Sequence, residues 1–304
     1  MNISNILRLL TFLPGFSILE GAIQNLMINI LKTGPIPKHI SFVMDGNRRF
    51  AKTYNLPLKE GHGLGAEALI KVLDCCFKLG IKNVTAYAFS IENFNRKAEE
   101  VDTIFSLLKY KLAFISKENQ LCDLHNVKIK IIGNRSYLPL DILNDIEIIE
   151  QRTKNNSKHT LFIALPYTSR DDMWFATSQI VEKYLNNEIN LNEINEILYE
   201  NNFYYEEAVE KVDILVRTSG HTRLSDYMLW QCHQDSVIEY PNTLWPNYRF
   251  YNVWWTIFKW SYFKTLIIQD AEIMQIKKLN KLQIDKKYKD LPNHHPPFAS
   301  VTKA

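Results

Sequence analysis

Between Ile18 and Leu31 the apolar residues Ile18, Leu19, Ala22, Ile23, Leu26, Met27, Ile30 and Leu31 form a stripe, with Glu20, Gln24, Asn25 and Asn29 between them and Lys32 just after. That spacing predicts an amphipathic helix, ended by Gly34, Pro35 and Pro37. The recurring polar residues leave no run of about 20 apolar positions that could span a bilayer. The stretch before Pro14 lacks the small-residue cleavage site of a signal peptide. Two readings of the helix stay open: packing on its own domain, or lying in a membrane interface or over the mouth of an apolar cavity.

Beyond it, short apolar runs rich in β-branched and aromatic residues fall at 40–44, 84–89, 127–132, 161–165 and 214–216, and the segments between them carry helical periodicity. Strands that alternate with helices predict an α/β fold, a mainly parallel central sheet flanked by helices on both faces. Ligands in such sheets collect beyond the carboxyl ends of the strands, where Asp45, Ser90 and Arg217 stand. Segment 99–118 reads as a long helix whose Val101, Ile104, Phe105, Leu108, Leu112 and Ile115 serve either the core or the wall of a tunnel. The aromatic stretch with Trp254, Trp255, Phe258, Trp260 and Phe263 suits an interface as well as core. Past about Ile276 the chain turns Lys-rich and then Pro/His-rich, which predicts a frayed helix and a flexible tail. The expected domains are therefore a helix at 1–33, a globular domain at 34–276 and a tail at 277–304.

The composition, 46% hydrophobic and 23% charged over 304 residues, is that of a folded globular protein. A formal charge of +3 argues against a nucleic-acid partner, so any anion binding must be local. Cys75, Cys76, Cys122 and Cys232 show neither CxxC pairing nor Cys/His ligand spacing, which speaks for a reducing compartment and against zinc.

Local anion chemistry has three candidate runs. In the first, a strand ends at Asp45 and Gly46, Asn47, Arg48 and Arg49 open a helix, placing backbone N–H and guanidinium groups around one point, with a carboxylate able to hold magnesium against phosphate oxygens. Taken alone, it is equally an Asp helix cap beside solvated arginines. The second run, Ser90, Ile91, Glu92, Asn93, Phe94, Asn95, Arg96, is by itself a polar turn. In the third, Arg217 and Arg223 straddle a Gly turn near Ser225, a pairing suited to bidentate phosphate contacts. All three follow strand ends, so the fold brings them together. A nucleotide phosphohydrolase would want a P-loop, which is absent, and Asp171, Asp172, Met173, Trp174, Phe175 does not complete the DDxxD of trans-prenyltransferases.

The segments HISFVMDGNRRFAK, EGHGLGAEAL, YAFSIENFNR, EEVD, PYTSR, DILVRTSGHTRLSDYMLWQ and TLWPN, in that order, resemble the motifs of cis-prenyltransferases, the undecaprenyl diphosphate (UPP) synthase family, and within it the eukaryotic, fungal dehydrodolichyl diphosphate synthases. The resemblance implies the cis-prenyltransferase fold with an apolar tunnel, and condensation of isopentenyl diphosphate onto farnesyl diphosphate with Mg2+. It implies Asp45 as metal ligand and catalytic group, with Gly46, Asn47, Arg48 and Arg49 on the allylic diphosphate and Phe50 and His62 bordering it. By the same carry-over Ser90, Glu92, Asn93, Phe94 and Arg96 position the substrates, Asn93 near the reacting carbons. Arg217, Arg223 and Ser225 bind the diphosphate of isopentenyl diphosphate. The product would be a long polyprenyl diphosphate for dolichol synthesis and protein glycosylation, made at the cytosolic face of the endoplasmic reticulum membrane or at lipid droplets.

Three departures from the family stand out. Leu58, beside Lys59, occupies a position where many members have Arg. Asp235, Ser236 and Glu239 straddle the place of the second metal carboxylate of bacterial members. In many eukaryotic relatives a Nogo-B-receptor-like partner completes the site with a C-terminal RxG motif, and this chain ends PPFASVTKA, so a heteromer is expected. The other role open to such a chain is that of the non-catalytic accessory subunit, which usually lacks the DGNRR run.

Overall fold

The computed structural model describes residues 16–117, 120–205 and 211–289. Helix α1 (Phe16–Leu31) leads into β1 (His39–Val43), the short α2 (Asn47–Thr53) and the long α3 (Leu58–Leu79). Strand β2 (Asn83–Tyr87) is followed by a 3-10 turn (Ile91–Asn95), α4 (Ala98–Lys117) and α5 (Gln120–His125). Next come β3 (Val127–Ile132), α6 (Leu140–Thr153), β4 (His159–Ala164), α7 (Ser169–Leu185) and α8 (Glu196–Glu200). Strands β5 (Ile214–Arg217) and β6 (Val237–Glu239) and helix α9 (Phe250–Lys289) complete the order.

The six strands form one sheet in the order β3-β4-β2-β1-β5-β6, with every pair parallel. This is the α/β architecture expected from the alternating runs. Strand β6 was not foreseen: three residues at a sheet edge, with Val237 exposed, carry too little apolar pattern to register. Pairing of Val43 with both Tyr87 and Arg217 brings the ends of β1, β2 and β5 to one level. The chain runs from β1 to β2 on one side and reaches β5 on the other, so a crevice opens there.

Alternation along the strands sorts the core into two layers. Ile40, Phe42, Val84, Leu161, Ile163, Ile214 and Val216 join residues of α3, α6 and α9 in one cluster, and Val43, Phe162, Ala164 and Leu215 join Tyr167, Tyr205 and Tyr227 in the other. Small polar groups are buried in this second layer and find tyrosine partners. Ser41 Oγ meets Tyr227 Oη at 2.8 Å, and Thr85 Oγ1 meets Tyr205 Oη at 3.3 Å.

Asp172, fully buried in α7, accepts hydrogen bonds from Tyr167 Oη (2.8 Å), Tyr204 N (2.8 Å) and Gln231 Nε2 (3.2 Å). Burial outweighs those donors and pushes its pKa up to about 7. The folded chain therefore holds this proton more tightly than the unfolded one, whose ordinary carboxyl value is 3.8. This contribution to stability is full below that value and is lost as pH rises towards 7. Melting curves from pH 4 to 8 should give a wild type that loses Tm relative to Asp172→Asn across this window; parallel profiles would refute the assignment.

Helix α1 docks by Ile28 and Leu31, and the Trp254 indole donates to Met27 O at 2.8 Å. Ile28 lies outside the expected stripe, of which Leu31 is buried and Met27 packs on the core, while Ile18, Leu19, Ile23, Leu26 and Ile30 are exposed. Packing thus takes the C-terminal end of the helix and leaves most of the stripe facing outward. Among the described residues no helix is long and apolar enough to cross a membrane.

The chain divides into compact units up to Ser261 and from Tyr262 onward. In α9, Val253, Ile257 and Trp260 are buried in the first unit. The helix runs on to Lys289 rather than fraying after Ile276, and in the second unit Phe263, Ile267 and Met274 are exposed. The Pro/His-rich segment and residues 1–15 lie outside the described residues.

Candidate active site

Beyond the level ends of β1, β2 and β5 lies a cavity of about 1030 Å3. Its polar head carries Asp45, Arg48, Arg49, Lys52, Arg96, Arg170, Arg217 and Arg223, and its apolar part includes Leu69, Ala86, Phe89, Ile104, Leu108 and Ile163. Cations outnumber the lining carboxylates Asp45, Glu92 and Asp226, so the head attracts anions. Ile104 and Leu108 of α4 both pack on the core and line the cavity, so the two readings of that helix hold for the same residues.

Local geometry explains why these residue types sit here. Gly46 takes φ +107°, and a Cβ there would fall 2.9 Å from Leu244 Cδ2, so only glycine makes the turn from Asp45 into α2. With seven residues, α2 contributes little dipole, and the guanidiniums carry most of the anion attraction. Gly65 lets α3 approach: an added Cβ would lie 2.3 Å from Asn47 Oδ1, while its carbonyl accepts the Trp245 indole N–H at 2.7 Å.

Arg217 is the hub of the head. Its Nη2 donates to Asp45 Oδ2 at 2.9 Å, and its Nη1 donates to Ser225 Oγ and Arg223 O, both at 2.7 Å. Burial opposes ionisation of Asp45, but the hydrogen bond and charge of Arg217 and the Gly46 N–H outweigh it, holding the carboxyl below its usual range. Arg49 Nη2 donates to Ser219 O at 3.1 Å, tying α2 to the loop after β5. In that loop Ser219, Ser225 and Asp226 hold φ values of +78°, +52° and +56°, strained for residues with a Cβ.

The second run forms the 3-10 turn, with a capping exchange at Ser90. Glu92 N donates to Ser90 Oγ at 3.2 Å, and Asn93 Oδ1 accepts from Ser90 N at 3.2 Å. Because that bond occupies the Asn93 oxygen, its amide N–H2 remains to face the cavity that Asn93 lines.

All the residues given a metal or substrate role from the sequence line the cavity except Phe50 and Phe94. Phe50 is buried against Tyr54, with ring centroids 4.5 Å apart, and Phe94 packs edge-on to Phe89 at 5.0 Å. Phe94 thereby backs the lining Phe89. Asn47 Oδ1, His62 Nε2 and Arg217 Nε, all on residues of the lining, are buried without partners, as is Ser219 Oγ, and this is unmet hydrogen-bonding capacity around the cavity. Burial holds the His62 imidazole below its ordinary pKa against the pull of Glu100.

The fit to magnesium can be tested on the donors. Among the described residues no group of three or more His, Cys, Asp or Glu is placed to hold a metal. One ionised carboxylate ringed by phosphate-type donors still suits the ion, since magnesium usually takes one or two carboxylates and fills its shell with substrate phosphate and water. None of Asp235, Ser236 and Glu239 lines the cavity, and Glu239 is paired with Lys259 at 2.7 Å. Leu58 and Lys59 are likewise absent from the lining.

Residues 43–265 match the family described as "Putative undecaprenyl diphosphate synthase". The chain belongs to that family, the cis-prenyltransferases. It is a transferase of this class. This cis-prenyltransferase is 46% identical over 246 residues to a dehydrodolichyl diphosphate synthase complex subunit of Saccharomyces cerevisiae, a match covering 80% of this chain and 71% of the yeast protein. To a human subunit of that designation it is 37% identical over 258 residues, covering 85% of this chain and 77% of the human one. A crystal structure described as a probable undecaprenyl diphosphate synthase from Campylobacter jejuni superposes with a TM-score of 0.61 at 28% identity, covering 74% of this chain and 95% of that one.

The site of this cis-prenyltransferase also contains residues the sequence reading did not single out. Arg170 donates through Nε to Asp226 Oδ2 at 2.8 Å and through Nη2 to Glu92 Oε1 at 3.3 Å, so it joins the second and third runs. His221, Lys52 and Tyr87 line the cavity too. All four lie inside the family motifs, Lys52 closing HISFVMDGNRRFAK, Tyr87 opening YAFSIENFNR, Arg170 closing PYTSR and His221 within DILVRTSGHTRLSDYMLWQ.

Proposed function

We propose that this cis-prenyltransferase is a catalytic subunit that condenses isopentenyl diphosphate units onto farnesyl diphosphate, making a long dehydrodolichyl diphosphate for dolichol synthesis and protein glycosylation. The observation that carries this reading is one cavity with a cationic head at Asp45 and Arg217 and an apolar body under α4. A diphosphate fits the first and a prenyl chain the second.

In this mechanism Gly46, Asn47, Arg48, Arg49 and Arg96 hold the allylic diphosphate, and Arg217, Arg223 and Ser225 hold that of isopentenyl diphosphate. Asp45 and the phosphate oxygens would hold Mg2+. When bound, the ion would supply Lewis-acid stabilisation of the negative charge on the leaving diphosphate. The allylic C–O bond breaks, its electron pair leaves with the diphosphate, and the double bond of isopentenyl diphosphate forms the new C–C bond. The arginines act where charge grows, which lowers the barrier more than ground-state binding would. Asn93 orients the second substrate through its free amide N–H2. An amide is no base at neutral pH, so the lost proton passes to the departing diphosphate. Ile104, Leu107 and Leu108 give the growing chain a dry wall.

The yeast and human relatives are named as complex subunits, which supports an accessory partner here; that partner would bring an RxG motif to the head. The outward apolar residues of α1 support work at a membrane interface, the cytosolic face of the endoplasmic reticulum or a lipid droplet. Purified chain, with and without the candidate partner, is incubated with Mg2+, farnesyl diphosphate and radiolabelled isopentenyl diphosphate, and products are sized by chromatography. A ladder ending in long polyprenyl diphosphates is expected; absence of product with every partner would end the proposal.

A further inference from the structure

Glu100 stands in the first turn of α4, outside the cavity lining, with its side chain 15% exposed. One carboxylate oxygen accepts from Arg96 Nη1 at 2.7 Å, and the other lies 3.6 Å from Arg48 Nη1. Those guanidiniums come from separate elements, Arg48 from the start of α2 and Arg96 from the end of the 3-10 turn, and both line the cavity head. His62, also in the lining, feels the charges of Glu100, Arg96 and Arg48. An acidic residue in a first helical turn is usually accounted for by the helix dipole, and Glu99 next to it meets that description. Glu100 differs in being turned onto two cations of the site.

We propose that Glu100 is a built-in competitor for Arg48 and Arg96, which weakens the hold of the head on diphosphate and speeds departure of the inorganic diphosphate released at each condensation. The inference rests on the prenyl-transfer reading above. A head rimmed by so many cations would bind a polyanion tightly and release it slowly, because affinity in such sites is set mainly by the off-rate. A fixed carboxylate within reach of two of those cations offers them another partner each time the diphosphate loosens. Arg48, with 60% of its side chain exposed, keeps an open face for a diphosphate while it stands beside Glu100.

The test is calorimetric titration of the full chain with inorganic diphosphate in the presence of magnesium, using wild type, Glu100→Gln and Glu99→Gln. Glu100→Gln should bind about tenfold more tightly, the effect of removing one negative charge near a polyanion, while Glu99→Gln matches wild type. In turnover, Glu100→Gln should lower both the KM for the allylic diphosphate and kcat, and Glu100→Asp should restore both. Loss of a merely structural contact would move affinity the other way. Weaker or unchanged binding in Glu100→Gln, confirmed with Glu100→Ala, overturns the proposal while leaving the diphosphate site intact. Failure of the wild type to bind inorganic diphosphate would instead bring down the site reading, and this inference with it.

Discussion

Asp45→Asn is expected to lower kcat for prenyl transfer by about 10³, the loss found when a group that stabilises transition-state charge is removed. The substitution keeps the shape of the side chain and removes its charge. The carboxylate now has one oxygen on Arg217 Nη2 and lies beside the Gly46 N–H, which fixes its direction at the cavity head. An amide in its place is a poor magnesium ligand and no longer offsets the charge of the Arg217 guanidinium. Single-turnover assays with farnesyl diphosphate and labelled isopentenyl diphosphate, run with the partner present, separate this loss from slow product release. Undiminished activity of the complex would make this chain the accessory subunit.

The fold was legible because strand runs and helical stripes alternate without ambiguity, and three polar runs fall at strand ends that the sheet sets level. Identifying the site was harder. Asp45 to Arg49 alone reads as an ordinary helix cap, and only the pairing of Val43 with Arg217 shows that the third run faces it. Phe50 and Phe94 were placed at the substrate by position in a motif, yet a motif gives residue order and not side-chain direction. Arg170 escaped because its partners, Glu92 and Asp226, are 78 and 56 residues away in the chain. On α1 the stripe was visible in the sequence, but which side packs depends on the position of Trp254, far along the chain.

Arg217→Lys should be nearly as damaging as loss of Asp45, and it should reduce stability as well. The guanidinium is only 6% exposed and serves Asp45, Ser225 and the Arg223 carbonyl from two nitrogens held in one plane. A lysine ammonium is one point on a flexible stem and cannot span those acceptors, so the exchange is not conservative. Asp45 would lose its fixed counter-charge, and the loop carrying Ser219, Ser225 and Asp226 at positive φ would lose a bond that offsets its strain. The KM for isopentenyl diphosphate should rise and kcat/KM fall by about 10² to 10³, with Tm lower by several degrees. Arg217→Ala goes further, because breaking a buried pair costs about 3–5 kcal/mol. The partly open Asp45, with 30% of its side chain exposed, puts the expected cost at the lower end of that range. The fall in kcat/KM should be larger for isopentenyl diphosphate than for the allylic primer, since Arg217 bonds Ser225 and Arg223 directly and meets the Gly46–Arg49 turn only through Asp45. Equal losses for both substrates would mean that Arg217 orders the whole head rather than one diphosphate subsite, and wild-type kinetics in Arg217→Lys would remove it from the mechanism.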